Sequence, residues 1–369
     1  MIFYITFDDF KGFSGTGIEK KIDGQIEAME YELGELCLIW WSYPVVYLTR
    51  KKRVIEKEPA VTRKDCIKAI ICWIQKYNVQ MTYIRYPISS KWFIDLLEFQ
   101  KKRQIKTVVE IATYPYDDEI KYRRTKLEDQ CYRKEIAKYV DILTTYSSDN
   151  EIWGIPCIKL VNGINLKNIR LSQKERDKSK IVLIAVSSMQ FWHGYERILE
   201  GMQLYYKIGG KYDFVLKMVG IGPEEQKYRK YVEKYGLTSH VEFLGCIETN
   251  EQEKLDKQFE LSDIGVDSLG VYKKGGNEGS GIKGAEYCAR GIPAICGYHD
   301  LRFPNNWKYI MNVSNNSEPI DMNRVIKFYE NITLENNYKK NMRNYAEQHL
   351  TWENIMKPVV EYFKNSEKP

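Results

Sequence analysis

The sequence predicts an α/β protein built from two doubly wound, Rossmann-like domains. Chain length is the first indication, because 369 residues exceed what one hydrophobic core usually serves. A second is the alternation of short β-branched or aromatic runs with helix-length amphipathic segments along most of the chain. The third is a turn-rich, charged break in the middle, after which the alternation starts again.

In the first half, strands are predicted over residues 2–7, 37–41, 45–49, 81–85, 107–112, 142–145 and 158–160. Helical patterns fall between most of them, at 18–33, 64–77, 90–102 and 127–139. In the second half the strands are 180–186, 214–219, 241–244, 264–266 and 293–295, with helices over 195–206, 224–235, 251–260 and 282–290. Such alternation argues for parallel sheets with helices on both faces. The break begins at Val161-Asn162-Gly163-Ile164-Asn165 and continues through LSQKERDKSK. It sets the domains at 1–163 and 164–350. A closing helix, 351–366, places Ile355, Val359, Val360 and Phe363 on one face. No internal repeat and no low-complexity segment is visible.

Charge and composition exclude several classes. A net charge of +6 without a concentrated basic face argues against nucleic acid as a partner. The short clusters around Arg50–Arg53, Lys101–Arg103 and Lys121–Lys126 suit solvated faces, or a patch meeting an anionic membrane surface or a phosphorylated acceptor. Eight cysteines form no C-x-x-C pair and read as reduced, buried thiols of a cytosolic protein. With four histidines and no metal-ligand cluster, neither a metal nor any other cofactor is expected. The N-terminus has no basic leader, and the longest apolar stretch, 37–48, is too short to span a bilayer. The expectation is a cytoplasmic protein, with at most peripheral contact at the inner membrane face.

The most informative stretch is GGNEGSGIKGAEY, residues 275–287. It follows a predicted strand and opens a predicted helix. Glycine-rich loops of that kind present unpaired N–H groups and a positive dipole end, which suits a diphosphate. Glu286 then lies about one turn into the helix, where a carboxylate can accept bonds from vicinal hydroxyls. Glu278 is placed to meet sugar hydroxyls, and Lys283 to add charge near phosphates. Spacing alone leaves a second reading open, an ordinary loop-to-helix cap with exposed glutamates.

E-G-S-G-I-K-G-A-E is similar, without a gap, to the E-G-x-G-x-x-x-x-E motif of the family 4 retaining glycosyltransferases. That resemblance implies the GT-B architecture, with two Rossmann-like domains facing each other across a cleft. It implies sugar contact and a catalytic place for Glu278, ribose contact for Glu286, and diphosphate binding by backbone at Gly279, Ser280, Gly281 and Ile282. The segment K-G-F-S-G-T-G-I-E-K-K resembles the family's first glycine-rich loop, with Gly15 and Gly17 closing over the donor, although it also reads as a flexible βα loop. I-K-L-V-N-G-I-N-L resembles the turn before the hinge, and the closing T-W-E-N-I helix the segment that crosses back to the first domain. D-F-V-L-K-M-V-G-I-G-P-E-E and H-V-E-F-L-G-C resemble further strands of the second domain. They bring Lys217, Gly220 and Gly222 toward the donor and set Cys246 and Ile247 against the base.

Two departures stand out. Where the family usually has G-R-x-x-x-x-K-G, this chain has S-S-M-Q-F-W-H-G, with Ser188 and His193 at the positions of the phosphate-clamping Arg and Lys. The W-H-G run resembles a bacterial surface-polysaccharide subgroup. His193 is read as a phosphate donor, stronger when protonated, or as a ring packed beside Trp192; Lys217 or Lys283 is the alternative source of charge. Residues 1–192 contain no histidine, so no general base is named. Arg85, Thr113, Tyr114 and Asp117 sit where acceptor-facing residues are expected, in Tyr-Pro turns that are also ordinary loop chemistry. The implied activity is metal-independent, retaining transfer of a hexosyl unit from a nucleotide sugar, UDP-sugar favoured. The implied acceptor is a hydroxyl of a glycan or lipid-linked molecule in surface-polysaccharide (capsule) synthesis. The alternatives are a non-catalytic GT-B partner subunit and a sugar-nucleotide epimerase.

Overall fold

The computed structural model describes residues 1–7, 17–117, 120–175, 177, 179–248 and 251–365, the side chain of Asn168 excepted. Two compact units result: Met1–Asn162 with Trp352–Pro369, and Gly163–Thr351.

The first unit runs β1 (Ile2–Ile5), α1 (Gly17–Leu33), β2 (Leu36–Ser42), β3 (Val45–Arg50), β4 (Arg53–Pro59) and α2 (Arg63–Lys76). It continues with β5 (Met81–Arg85), α3 (Lys91–Lys102), β6 (Lys106–Ile111), α4 (Arg123–Tyr132), β7 (Ile142–Thr145), β8 (Glu151–Ile152) and β9 (Ile155–Lys159). Local chemistry sets the helix starts. Thr62 and Asp65 form a reciprocal capping box on α2, and the Ser90 hydroxyl accepts from Phe93 N–H to cap α3.

Strand order is β4-β3-β2-β1-β5-β6-β7-β9-β8. The strands from β2 through β9 pair in parallel, as the alternation predicts. Both edges depart from it. Only Tyr43-Pro44 separates β2 from β3, too little chain for a crossover helix, so β2, β3 and β4 form an antiparallel meander. β4 was not legible because its side chains are mostly exposed and charged, which hides the period of two and suits an edge strand.

Alternate strand residues feed two cores. Phe3, Ile5, Ile39 and Val109 face α2 and α3 through Ile70, Trp73, Leu96 and Leu97. Tyr4, Leu38, Tyr83 and Val108 face the opposite layer, built from α1 and the last helix, Trp352–Asn365. In that helix Met356, Val359 and Phe363 are fully buried, each contributing ~1.5–3 kcal/mol.

The second unit contains β10 (Lys180–Val186), α5 (Glu196–Lys207), β11 (Asp213–Val219), α6 (Glu225–Lys234), β12 (Val241–Gly245), α7 (Gln252–Glu260) and β13 (Ile264–Val266). Then follow β14 (Glu278–Gly279), α8 (Ile282–Arg290), β15 (Ala294–Cys296), β16 (His299–Asp300), β17 (Ile310–Asn312), α9 (Met322–Thr333) and α10 (Tyr338–His349). The main sheet, β12-β11-β10-β13-β15-β17, is parallel throughout, and β14 pairs with β16 beside it. The chain leaves β10 toward β11 on one side and returns to β13 on the other. The crevice beyond the carboxyl ends of β10 and β13 is therefore a topological switch point.

Two expectations need correction. Cys37, Cys66, Cys288 and Cys296 are buried, but Cys72, Cys131 and Cys246 are exposed. Burial pushes the Cys37 thiol up to about 11 and those of Cys66 and Cys288 up to about 12. The helix predicted over 127–139 is instead α4, starting earlier, followed by a 3₁₀ segment, Arg133–Lys138. Among the described residues, no helix is long and apolar enough to cross a membrane.

Candidate functional site

At the switch point the loop after β10, which carries W-H-G, is joined to the loop after β13. Leu269 N–H donates to the His193 carbonyl at 2.7 Å and Gly270 N–H to that of Trp192 at 3.2 Å. Gly194, at φ +62°, is required here, since a Cβ would fall 2.6 Å from Gly270 N. Buried Arg197 donates to the carbonyls of Leu269 (2.5 Å) and Glu318 (2.7 Å). Lys273 bonds the Phe191 carbonyl at 3.1 Å and pairs with Glu196, while Lys274 lies 3.5 Å from the Trp192 ring centroid. W-H-G thus fixes one loop on another.

His193 itself is buried, its ring stacked at 5.6 Å on Tyr195. Burial, with Lys283 and Lys274 nearby, lowers its pKa to about 3, so the imidazole is neutral. Gln190 N–H donates to Nδ1 at 2.8 Å, which assigns the ring proton to Nε2. This corrects the protonated donor expected above: any hydrogen bond from His193 to a ligand comes from a neutral Nε2–H.

The predicted loop lies immediately beyond. Glu278, in β14, is exposed and has no side-chain partner among the described residues. Gly281 precedes α8 and gives it no side-chain cap, and Ile282 is exposed at the helix start. Beneath this turn is a buried ionic framework. Arg302 forks onto Asp300 at 2.8 Å (Nε to Oδ1) and 2.5 Å (Nη2 to Oδ2) and also bonds the Gly281 carbonyl. Asp267 accepts from Ser268 N–H at 2.6 Å and from Tyr298 Oη at 3.2 Å. A Cβ on Gly284 would meet Asp300 Oδ2 at 2.8 Å and Arg302 Nη2 at 2.9 Å, so only glycine lets α8 settle on the pair. Lys283 turns inward to Ser268 Oγ (3.1 Å) and Asp267 Oδ1 (3.3 Å). Burial opposes its charge, but Tyr195 and Asp267 hold its pKa above the usual lysine value.

Glu286 sits one turn into α8. Its Oε1 accepts both Nε (3.1 Å) and Nη2 (2.9 Å) of Arg290, whose Nη2 also reaches Asp256 at 2.7 Å. Arg290 is buried against Phe259, at 4.1 Å from the ring centroid. The carboxylate is thus held by one oxygen, and Oε2 has no partner among the described residues.

The other predicted positions divide. Ser188 is exposed at the end of the β10 loop. Gly220 and Gly222 serve packing, since a Cβ on either would fall 1.9 and 1.8 Å from the carbonyls of Ser187 and Ser188. Lys217 is not brought to the loops; it is buried within β11, and Nζ bonds Gln258 of α7 at 2.9 Å. Cys246 and Ile247 follow the edge strand β12. Gly17 opens α1, and Gly15 lies outside the described residues.

In the first unit, Arg85 is tied to Glu110 at 2.6 Å, with Lys21 at 3.3 Å from the same oxygen. Gln25 (2.6 Å) and Tyr83 (2.7 Å) donate to the other oxygen. Burial disfavours the Glu110 charge, but Lys21, Arg85 and these donors overcome it and bring its pKa to about 2. Asp117 pairs with Arg133 at 3.0 Å. Tyr114 packs edge-on to Trp153, and Thr113 is exposed. Arg85 and Asp117 therefore have structural partners, Glu110 and Arg133. Sequence reasoning missed Asp267, Asp300, Arg302, Arg290 and Glu110. Their one signal was charge set at or just beyond the end of a strand or inside an apolar helix face.

Known proteins resemble this chain in sequence family and in fold. Residues 167–301 match the family model of glycosyl transferases group 1. A relative in Methanocaldococcus jannaschii, the uncharacterised glycosyltransferase MJ1069, is 26% identical over 318 residues, covering 78% of this chain and 75% of its own. Among solved structures, Anabaena Alr3699/HepE in complex with UDP superposes with a TM-score of 0.66 at 11% identity over 99% of both chains. The same protein is known in complex with UDP-glucose. The lipopolysaccharide outer core galactosyltransferase WaaB gives 0.58 at 14% identity, over 99% of this chain and 100% of its own. The fold is GT-B, with two Rossmann-like units, and the matches support a group 1 glycosyltransferase.

Proposed function

We propose that this chain, with its GT-B fold and its group 1 match, is a retaining, metal-independent hexosyltransferase. It takes a hexosyl unit from a nucleotide sugar to a hydroxyl of a glycan or lipid-linked acceptor. The observation that carries the reading is the pair of carboxylates presented around one uncapped helix start. Glu278 is open, and Glu286 is held by one oxygen with the other unclaimed. In this reading Oε2 of Glu286 receives the ribose hydroxyls, the first-turn amides of α8 receive the diphosphate, and Glu278 receives the sugar. Lys283 and the Nε2–H of His193 take the place of the absent Arg-Lys clamp.

The hydroxyl of the acceptor attacks C1 from the face the diphosphate leaves. The bond from C1 to the phosphate oxygen breaks, the new glycosidic bond forms, and the hydroxyl proton passes to the departing phosphate oxygen. No protein base is needed; the protein positions the reactants and stabilises the developing phosphate charge. A UDP-sugar is favoured because the Anabaena structures hold UDP and UDP-glucose. A place in surface-polysaccharide synthesis is supported by the likeness to the lipopolysaccharide galactosyltransferase; work at the cytoplasmic face of the membrane is part of the same proposal. Arg85, Thr113, Tyr114 and Asp117 belong to the unit that takes the acceptor.

The test is nucleotide release from UDP-, GDP-, dTDP- and ADP-sugars, with and without added magnesium, beside Glu286→Ala. Release from one donor without metal, lost in the variant, with retained anomeric configuration by NMR, is expected. If no donor is turned over and none raises the melting temperature, the reading fails.

A further inference from the structure

Behind the strand that carries Glu278, the second unit holds a cavity of about 500 Å³ that the reaction above does not use. Its volume is that of a small-molecule site, ~300–1,000 Å³. The wall is rich in asparagine: Asn277, Asn305, Asn306, Asn312 and Asn315. Asn315 is structural, its Nδ2 bonding the Gly276 carbonyl at 2.7 Å and its Oδ1 accepting from Tyr272 N–H at 3.0 Å. Asn305, Asn306 and Asn312 are exposed, and their side chains make no hydrogen bond among the described residues. The apolar part of the wall includes Phe303 and Trp307, whose rings lie 6.0 Å apart at 24°.

The charge of the lining narrows the ligand. It contains no lysine or arginine. Asp300 is its one carboxylate, and both its oxygens are taken by Arg302. The imidazole of His299 is the one basic side chain of the wall, so an anion would find no permanent counter-charge, and a cation would find no open carboxylate. A free amide offers a donor pair and an acceptor together, the combination that vicinal hydroxyls require. An aromatic wall suits the C–H face of a pyranose. We propose that this cavity is a second saccharide site, for a neutral sugar unit that is not the one transferred. Its position couples it to Glu278, because β16 forms part of its wall and pairs with β14, and His299 N–H donates to the Asn277 carbonyl at 2.9 Å. A sugar bound here steadies the strand pair that presents Glu278.

The experiment is saturation-transfer NMR on the full chain with lactose, maltotriose and chitotriose as probes, repeated with Asn312→Leu, Asn305→Leu and excess UDP. At least one probe is expected to give signals that fall fivefold or more in the variants and persist with UDP. No signal from any probe, signals that the variants leave unchanged, or displacement by UDP overturns the proposal. Both variants change exposed side chains without hydrogen bonds, so folding is preserved and is checked by the melting curve. Because the readout needs neither donor nor turnover, a chain that releases no nucleotide yet binds a probe retains this site and loses only the transferase reading.

Discussion

Each unit buries charge near the carboxyl ends of its strands, yet the two leave different atoms unclaimed. In the first unit Glu110 has both oxygens doubly engaged, by Arg85 and Lys21 on one side and Gln25 and Tyr83 on the other. Asp129 is equally closed, by Tyr86, Ser89, Tyr116 and Arg133. In the second unit Asp267 and Asp300 are closed in the same way, but the layer resting on them is not. Glu278 is open, and Glu286 has one oxygen fixed by Arg290. Buried charge by itself therefore does not mark a site. What marks it is a rigid ionic floor beneath groups whose hydrogen-bonding capacity is incomplete.

The largest effect that would test this contrast is loss of the floor. Arg302→Met leaves Asp300 buried without its partner and is expected to cost ~3–5 kcal/mol, confined to residues 163–351. Urea unfolding followed by hydrogen exchange reads both size and location; equal loss of protection in both units would break the comparison. Next is Glu286→Ala, which removes a group from the upper layer only. Donor turnover is expected to fall roughly 100-fold, with a smaller loss of stability than in Arg302→Met because buried Arg290 keeps Asp256 at 2.7 Å.

Acid separates the units further. His193 has a folded pKa lowered from 6.5 to about 3, so its contribution is intact above pH 6.5 and is lost as pH falls below it. Glu110 is lowered from 4.5 to about 2, so its contribution is intact above pH 4.5 and is lost only below that. Between pH 7 and 5 the second unit should lose roughly 2 kcal/mol through His193, and His193→Asn should remove that dependence. A urea midpoint in the variant as pH-sensitive as wild type would contradict it. The smallest expected effect is that of Lys274→Ala, ~0.5–1 kcal/mol from the contact with Trp192, seen as a small shift in the same midpoint.

Much of the parallel framework was readable because buried strands announce themselves as apolar runs: 81–85, 142–145, 180–186 and 264–266 agree with β5, β7, β10 and β13. The elements that escaped have no such pattern. β4 is charged and exposed, and β14 and β16 are two residues each, paired through a loop rather than through a periodic face. The E-G-S-G-I-K-G-A-E loop was visible because glycine spacing is a local property. The floor under it was not: Asp300 and Arg302 pair across only two residues, but their place beneath α8, with Asp267 joined to them through Tyr298, is set by the fold. His193 was visible as a departure, but its neutral state depends on Gln190 and on burial, neither of which spacing encodes.

The last helix of the first unit has a consequence for how the protein is made. Trp352, Met356, Val359 and Phe363 complete a core whose other members lie before residue 163. A ribosome extends the chain from its N-terminus, and domains ordinarily mature in that order. Here the nine-stranded sheet emerges first but has one apolar face covered only in part, by α1, until residues 352–365 arrive. The segment encoded second, 163–351, has its parts assembled before then. Synthesis thus finishes the later unit ahead of the earlier one, and the half-covered sheet is the intermediate a chaperone would meet.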